Sequence, residues 1–199
     1  MNTAHVARRL AYLPQRPSEP EGLTVEALVA QGRFPYQSLF NQWSTQDRDA
    51  VDSAMAATGV FEFRRRRLDT LSGGQLQRCW IAMIMAQDSG IILLDEPTSF
   101  LDLKVQIDLM EMLHRIAHEE GRTLIVVLHE LNLAAAFADR LVMMRDGQVI
   151  ADGSVERVFT EENLHRAFGL DAAVVKDDVN GRPVCIPRVC GPTKAIQCA

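Results

Sequence analysis

Ile91-Ile92-Leu93-Leu94-Asp95-Glu96-Pro97 is the stretch on which the fold turns. Four consecutive apolar residues are strand length, and an unbroken run fits a central strand of a parallel sheet. The run ends in two adjacent carboxylates, which are costly at a buried strand end unless they do something. Such ends are where ligands bind in α/β sheets. Downstream, Val105, Leu109, Met112, Leu113 and Ile116 mark one face of a helix that Gly121 ends. Thr123 to Leu128 then reads as a second buried strand, with His129 at its end. Strands alternating with helices predict an α/β layer around a parallel sheet.

Upstream, Leu71-Ser72-Gly73-Gly74-Gln75 opens a helix over Gln75 to Gln87 that is apolar almost all round after Arg78, and so is expected to be buried. Leu23 to Gln31 has helical spacing with Thr24 as a cap, and Thr45 to Thr58 reads as a helix capped by Thr45. Arg33 to Trp43 is an aromatic, proline-bearing loop holding Phe34, Tyr36, Phe40 and Trp43. Residues 1–17 read as extended and turn-like, with a short strand at Leu10 to Leu13 stopped by Pro14 and Pro17. This helical stretch before Ser72 looks like a lobe inserted between sheet strands. Beyond His129, Asp146-Gly147 and Asn180-Gly181 mark two hairpins, and Glu161 to Phe168 is a helix closed by Gly169.

Bulk properties narrow the function classes. The 199 residues hold 21 Lys+Arg against 26 Asp+Glu, a net charge of −5. That mild acidity argues against nucleic acid as the main partner, which normally meets a basic face. No apolar run approaches the ~20 residues of a spanning helix, so a cytosolic chain is expected. Cys79, Cys185, Cys190 and Cys198 lack metal-site spacing and read as reduced bystander thiols.

The chemistry-bearing residues suggest phosphoryl transfer. Small residues at a helix start let backbone N–H groups approach an anion, and the helix dipole favours phosphate there. A glycine turn capping a core helix is the plainer reading of Ser72 to Gln75. One strand-end acid can hold Mg²⁺ and the next can polarise an attacking water. Asp102 before the next helix is either a simple N-cap or a site residue, and His129 is either structural or a phosphate contact.

Taken in order, Leu71 to Gln75, Ile91 to Pro97, Ser99-Phe100-Leu101-Asp102 and the strand-end His129 resemble the ABC ATPase family. Gln15, in Leu13-Pro14-Gln15, looks like that family's Q-loop glutamine. The resemblance implies a P-loop NTPase-like (RecA-like) α/β fold: a parallel sheet with an inserted α-helical subdomain, incomplete at the N-terminus. It implies a partial ATPase domain over 1–170, with 18–88 as the helical subdomain that carries the signature motif, and a C-terminal hairpin and tail over 171–199. ATP and Mg²⁺ are the implied ligands. Gln15 would contact Mg²⁺ and water, Asp95 would be the metal-binding acid, Glu96 the general base and His129 a γ-phosphate contact. Ser72, Gly73 and Gly74, within the motif from Leu71 to Gln75, would grip ATP held by an opposite subunit. Asp102 would lie across the same dimer interface. The implied partners are integral-membrane permease subunits, a second ATP-binding subunit in a head-to-tail dimer and, indirectly, a periplasmic or lipoprotein substrate-binding protein. The implied place is the cytoplasmic face of the cell membrane.

A finer likeness points to cassettes of ferric-siderophore and vitamin B12 importers. It rests on Gly32-Arg33-Phe34-Pro35-Tyr36, Leu39-Phe40, Gln42-Trp43-Ser44, Trp80-Ile81-Ala82-Met83, Phe100-Leu101-Asp102 and Asp178 to Pro187. In that branch the strand-end motif usually reads His-Asp-Leu-Asn, whereas this chain has His129-Glu130-Leu131-Asn132.

The family's phosphate-cradling loop, GxxxxGK[ST], has no counterpart in these 199 residues. The only lysines are Lys104, Lys176 and Lys194, none follows a glycine, and no two glycines stand five apart. A misplaced start codon or truncated gene is the expected origin, ahead of a degenerate half-cassette or a chain that pairs with an intact one. The function expected is the ATP-hydrolysing subunit of an ABC importer for iron–siderophore uptake. The alternative is a non-hydrolysing half-cassette acting as a binding or regulatory module.

Overall fold

The computed structural model describes residues 3–17, 22–37 and 43–189. Leu39, Phe40 and Gln42 of the aromatic loop lie outside them, as do Cys190, Lys194 and Cys198. The chain divides into two compact units, residues 1–128 and 129–199.

In the first unit β1 (Leu10–Leu13), β2 (Ile91–Asp95) and β3 (Thr123–Val127) form a parallel sheet in that order. The register sets Leu13 beside Leu94 and Asp95 beside Val127. Alternate side chains of a strand point to opposite faces. Ala11, Leu13, Ile92 and Leu94 are buried on one face. Leu10, Tyr12, Ile91, Ile125 and Val127, on the other, are 39–51% exposed. The expectation that β2 and β3 are buried strands is therefore corrected: β2 is buried on one face only, and in β3 the better-covered side chains, Leu124 and Val126, are only partly buried.

A short helix, α1 (Thr3–Ala7), precedes β1 where the sequence reads as extended. None of its side chains is buried. Its last carbonyl, orphaned at the helix end, accepts hydrogen bonds from Ser89 Oγ at 2.9 Å and from Gln87 Nε2. Partners eighty or more positions away thus fix what the local pattern leaves open.

Between β1 and β2 lies the helical lobe: α2 (Val25–Ala30), a 3₁₀ turn over Gln31–Tyr36, α3 (Thr45–Ala57) and α4 (Gly73–Ala86). These helices pack on one another. Thr24 caps α2 as read, its Oγ1 accepting from Ala27 N at 3.3 Å. The cap of α3 is Ser44, not Thr45. Ser44 Oγ accepts from Asp47 N at 3.1 Å while the Asp47 carboxylate accepts from Ser44 N at 2.9 Å, a reciprocal capping box that Thr45 is one residue too late to make. Gly32 lets the 3₁₀ turn approach α4, since a Cβ there would stand 2.1 Å from Met83 O. Arg33 is buried. Its Nε pairs with the Asp47 carboxylate at 2.8 Å, Nη1 donates to Ala86 O at 2.8 Å, and the guanidinium lies 3.8 Å from the Tyr36 ring centroid. The buried residues of α4 run from Cys79 to Ala86, as its composition predicts. The Cys79 thiol is pushed up to about 12 by burial, which keeps it protonated and inert. After β2, α5 (Leu103–Glu119) buries Leu109, Met110, Met112, Leu113 and Ile116.

The second unit holds α6 (Leu131–Phe137), the hairpin β4 (Arg140–Arg145) and β5 (Gln148–Ser154), α7 (Val155–Val158), α8 (Glu161–Phe168) and the hairpin β6 (Ala172–Lys176) and β7 (Pro183–Pro187). Asp146 and Gly147 both have positive φ, 50° and 75°, which suits a tight two-residue hairpin turn. One core joins both hairpins to the helices through residues such as Met143, Val155, Leu164, Ala172 and Cys185. Asn132 docks α6 on β7: its side-chain amide accepts from Cys185 N at 2.7 Å and donates to Cys185 O at 3.1 Å.

Candidate active site

The C-terminal ends of β1 and β2 bring the acids and Gln15 together. Asp95 is the last residue of β2, and its Oδ2 accepts a hydrogen bond from Tyr12 OH at 3.3 Å. Tyr12 faces Leu93 in register, so its ring lies on the sheet face that Asp95 shares two residues on. Burial, then the Asp95 charge and hydrogen bond, push the Tyr12 hydroxyl up, so it stays a donor. Glu96 has a left-handed φ of 47°, an unfavourable backbone state for a non-glycine residue. Its N–H donates to Val127 O at 3.1 Å, tying the turn to the end of β3. Its Oε2 accepts from Gln15 Nε2 and, at 2.9 Å, from Ser99 Oγ. Gln15 thus reaches the carboxylate of Glu96, the residue next to Asp95.

The residues present fit a hard divalent cation. Asp95 offers carboxylate oxygens, and Gln15, having turned its Nε2 to Glu96, keeps an amide oxygen. Oxygen donors of this kind suit Mg²⁺.

Ser72 and Gly73 are exposed at the start of α4. Ser72 Oγ accepts from Gln75 N at 3.3 Å, and Gln75 Oε1 accepts from Ser72 N at 3.1 Å. Leu71 is partly buried just before this cap. The first amides of a helix have no intrahelical acceptor, so the exposed end is suited to an anion. Gly74 has a second reason to be glycine: a Cβ there would stand 2.6 Å from Val105 Cγ1 of α5. Asp102 caps α5, its Oδ1 accepting from Val105 N at 3.0 Å. The two helix starts therefore abut through Gly74 and Val105. His129 follows β3 by two positions and opens the second unit. The strand that leads to it is the direct neighbour of β2.

Sequence reasoning missed Tyr12, Ser99 and Arg16. Arg16 lies 5.2 Å from the ring centroid of Phe100, which is itself strongly exposed with φ 64°. The alternation of β1 places Tyr12 on the Asp95 face, a signal that was available. Nothing local marks Arg16.

The profile of the ABC transporter family matches residues 1–99. The petrobactin import ATP-binding protein FpuD of Bacillus anthracis is 48% identical over 187 residues, covering 94% of this chain and 68% of that protein. The chain thus spans about two thirds of that relative's length. A solved metal-chelate type ABC transporter in an inward-facing conformation superposes with a TM-score of 0.82 at 26% identity, covering 91% of this chain and 72% of that one. A dimeric ATP-binding cassette in a post-hydrolysis state, bound to ADP and Pi, superposes with a TM-score of 0.64 at 28% identity, covering 77% and 66%. A match of this extent to an import ATP-binding protein gives no support to the alternative of a separate half-cassette module. On sequence and fold together, the chain belongs to the ATP-binding subunits of ABC transporters, a family of ATPases.

Proposed function

We propose that the chain serves an importer of iron–siderophore chelates as its ATP-hydrolysing subunit, working at the cytoplasmic face of the membrane. The carrying observation is the hydrogen bond from Gln15 to Glu96 beside Asp95, at the ends of β1 and β2. The chelate as cargo is supported by the petrobactin relative and the metal-chelate type structure. Among the described residues no helix is long and apolar enough to cross a membrane, so permease subunits are the proposed carriers of the substrate path. A substrate-binding protein, periplasmic or lipoprotein, delivers to them. On this reading residues 1–170 are the ATPase domain with 18–88 as its helical subdomain, and 171–199 are a C-terminal hairpin and tail.

In the proposed mechanism Asp95 and Gln15 hold Mg²⁺, which offsets the charge of the triphosphate when bound. Glu96 takes a proton from the attacking water, a contribution of ~10²–10⁴-fold in rate. His129 holds the γ-phosphate. The exposed start of α4, from Leu71 to Gln75, closes over ATP held by a facing subunit, and Asp102 sits across that same interface. ATP closes the pair and hydrolysis opens it.

Turnover of the protein assembled with its membrane subunits tests the reading. Glu96→Gln is expected to lower the rate ~10²–10⁴-fold while ATP still binds. Uptake of labelled ferric siderophore, measured against cobalamin in the same cells, tests the cargo. A Glu96→Gln protein with undiminished turnover overturns the catalytic assignment.

A further inference from the structure

We propose that Ser99 is a positioning residue for Glu96, holding the carboxylate in the one orientation from which it acts. The proposal rests on the reading of Glu96 as the group that receives the proton of the attacking water. Its starting point is strain. A glutamate at φ 47° returns to ordinary backbone space unless its surroundings hold it.

The holding contacts are specific. The backbone of Glu96-Pro97-Thr98-Ser99 closes a turn in which Ser99 N donates to Glu96 O at 3.2 Å. Ser99 Oγ closes a second ring over the first by donating to Glu96 Oε2 at 2.9 Å. The middle of the turn is immobilised: Pro97 and Thr98 are buried, and Thr98 O accepts from Gln106 Nε2 of α5 at 3.2 Å. Ser99 is therefore a donor on a fixed frame.

Gln15, which also donates to Glu96 Oε2, differs in kind. It stands beyond the end of β1 and is exposed. A donor anchored inside the same four-residue turn keeps its grip whether or not Gln15 is engaged elsewhere. The hydroxyl is the group that matters, so threonine can replace serine and alanine cannot.

The experiment compares Ser99→Ala, Ser99→Thr and Glu96→Gln in the protein assembled with its membrane subunits. Ser99→Ala is expected to lower kcat about 10-fold, because a small misplacement of a reacting group is expensive, with KM for ATP and the melting temperature unchanged. Ser99→Thr restores kcat. A second measurement needs no turnover: hydrogen exchange of the residue 99 amide, bonded to Glu96 O, is expected to speed up several-fold in Ser99→Ala and to recover in Ser99→Thr. If Glu96→Gln keeps its turnover, the reading of Glu96 as the base fails. If Glu96→Gln is dead but Ser99→Ala matches the parent in kcat, or if amide exchange is the same in all three serine-site proteins, the positioning role is overturned.

Discussion

At the scale of single residues, Gly74 carries two demands that coincide. A glycine at a helix start admits an anion close to the backbone. It also admits Val105, which would meet a Cβ at 2.6 Å. Alanine is intrinsically better than glycine inside a helix by ~1 kcal/mol. Val105 is β-branched and stiff at χ1, so it cannot swing away, and overpacking of this kind costs ~1–3 kcal/mol. The clash wins over the propensity gain. Gly74→Ala is expected to destabilise the first unit, and Gly74→Ala with Val105→Ala to recover most of that loss relative to Val105→Ala alone. Urea unfolding of the four proteins in a double-mutant cycle checks it; additivity would mean the two side chains do not meet. Only the first demand was legible in the sequence, because the second depends on where α5 lies. Tyr12 and Ser99 escaped for a similar reason: a hydroxyl's meaning depends on which carboxylate stands within 3.3 Å of it.

At the scale of elements, apolar runs and turn dipeptides told most of the story. β1, β2, β3 and the Asp146-Gly147 hairpin fall where their patterns put them. α1 and the Ser44 cap did not, since both depend on hydrogen-bond partners that a periodicity does not contain. The ion pair that binds the 3₁₀ turn to α3 and α4 was also hidden. The Arg33 and Asp47 side chains are only 3% and 7% exposed. Burial alone pushes the Asp47 carboxyl up, but hydrogen bonds from Ser44 and Arg33 outweigh it and hold the group below its ordinary value of 3.8. A depressed folded value means the contribution is whole above pH 3.8 and is lost as pH falls through the lowered folded value. Arg33→Met leaves that carboxylate buried without its cation, which costs ~3–5 kcal/mol. Denaturant unfolding should show that loss at neutral pH. It should also show the gap between variant and parent narrowing as pH falls below 3.8, because protonating Asp47 removes the parent's advantage and relieves the variant's unpaired charge. A variant within 1 kcal/mol of the parent, on the order of ordinary surface substitutions, would mean the pair is not what fastens the lobe.

At the scale of the whole chain, the open face of the β1–β2–β3 sheet and the missing phosphate loop point to the same outcome. Parallel sheets are normally covered on both faces, yet Leu10, Tyr12, Ile91, Ile125 and Val127 present an apolar strip to solvent. Contiguous exposed apolar surface on this scale binds partners or promotes association. Meanwhile the 199 residues contain no GxxxxGK[ST] to supply a nest of N–H donors and a lysine for the β- and γ-phosphates. Hydrogen bonds to charged groups contribute ~1.5–3 kcal/mol each. Losing three or four of them weakens binding by at least ~10³-fold, which moves a micromolar ligand to the millimolar range. On the proposed reading the remaining contacts to the chain's own nucleotide, Asp95 and Gln15 through Mg²⁺ and His129, are too few to replace them. The purified 199-residue chain is therefore expected to bind MgATP only at millimolar concentration by calorimetry, and to enhance the fluorescence of an apolar-surface dye. Thr substitutions at Ile125 and Val127 should lower the dye signal without touching nucleotide affinity. Micromolar ATP affinity for this chain would show that its own residues build a phosphate cradle of another kind, and would move the search for it to the N–H groups of the Glu96–Ser99 turn and the first turn of α4.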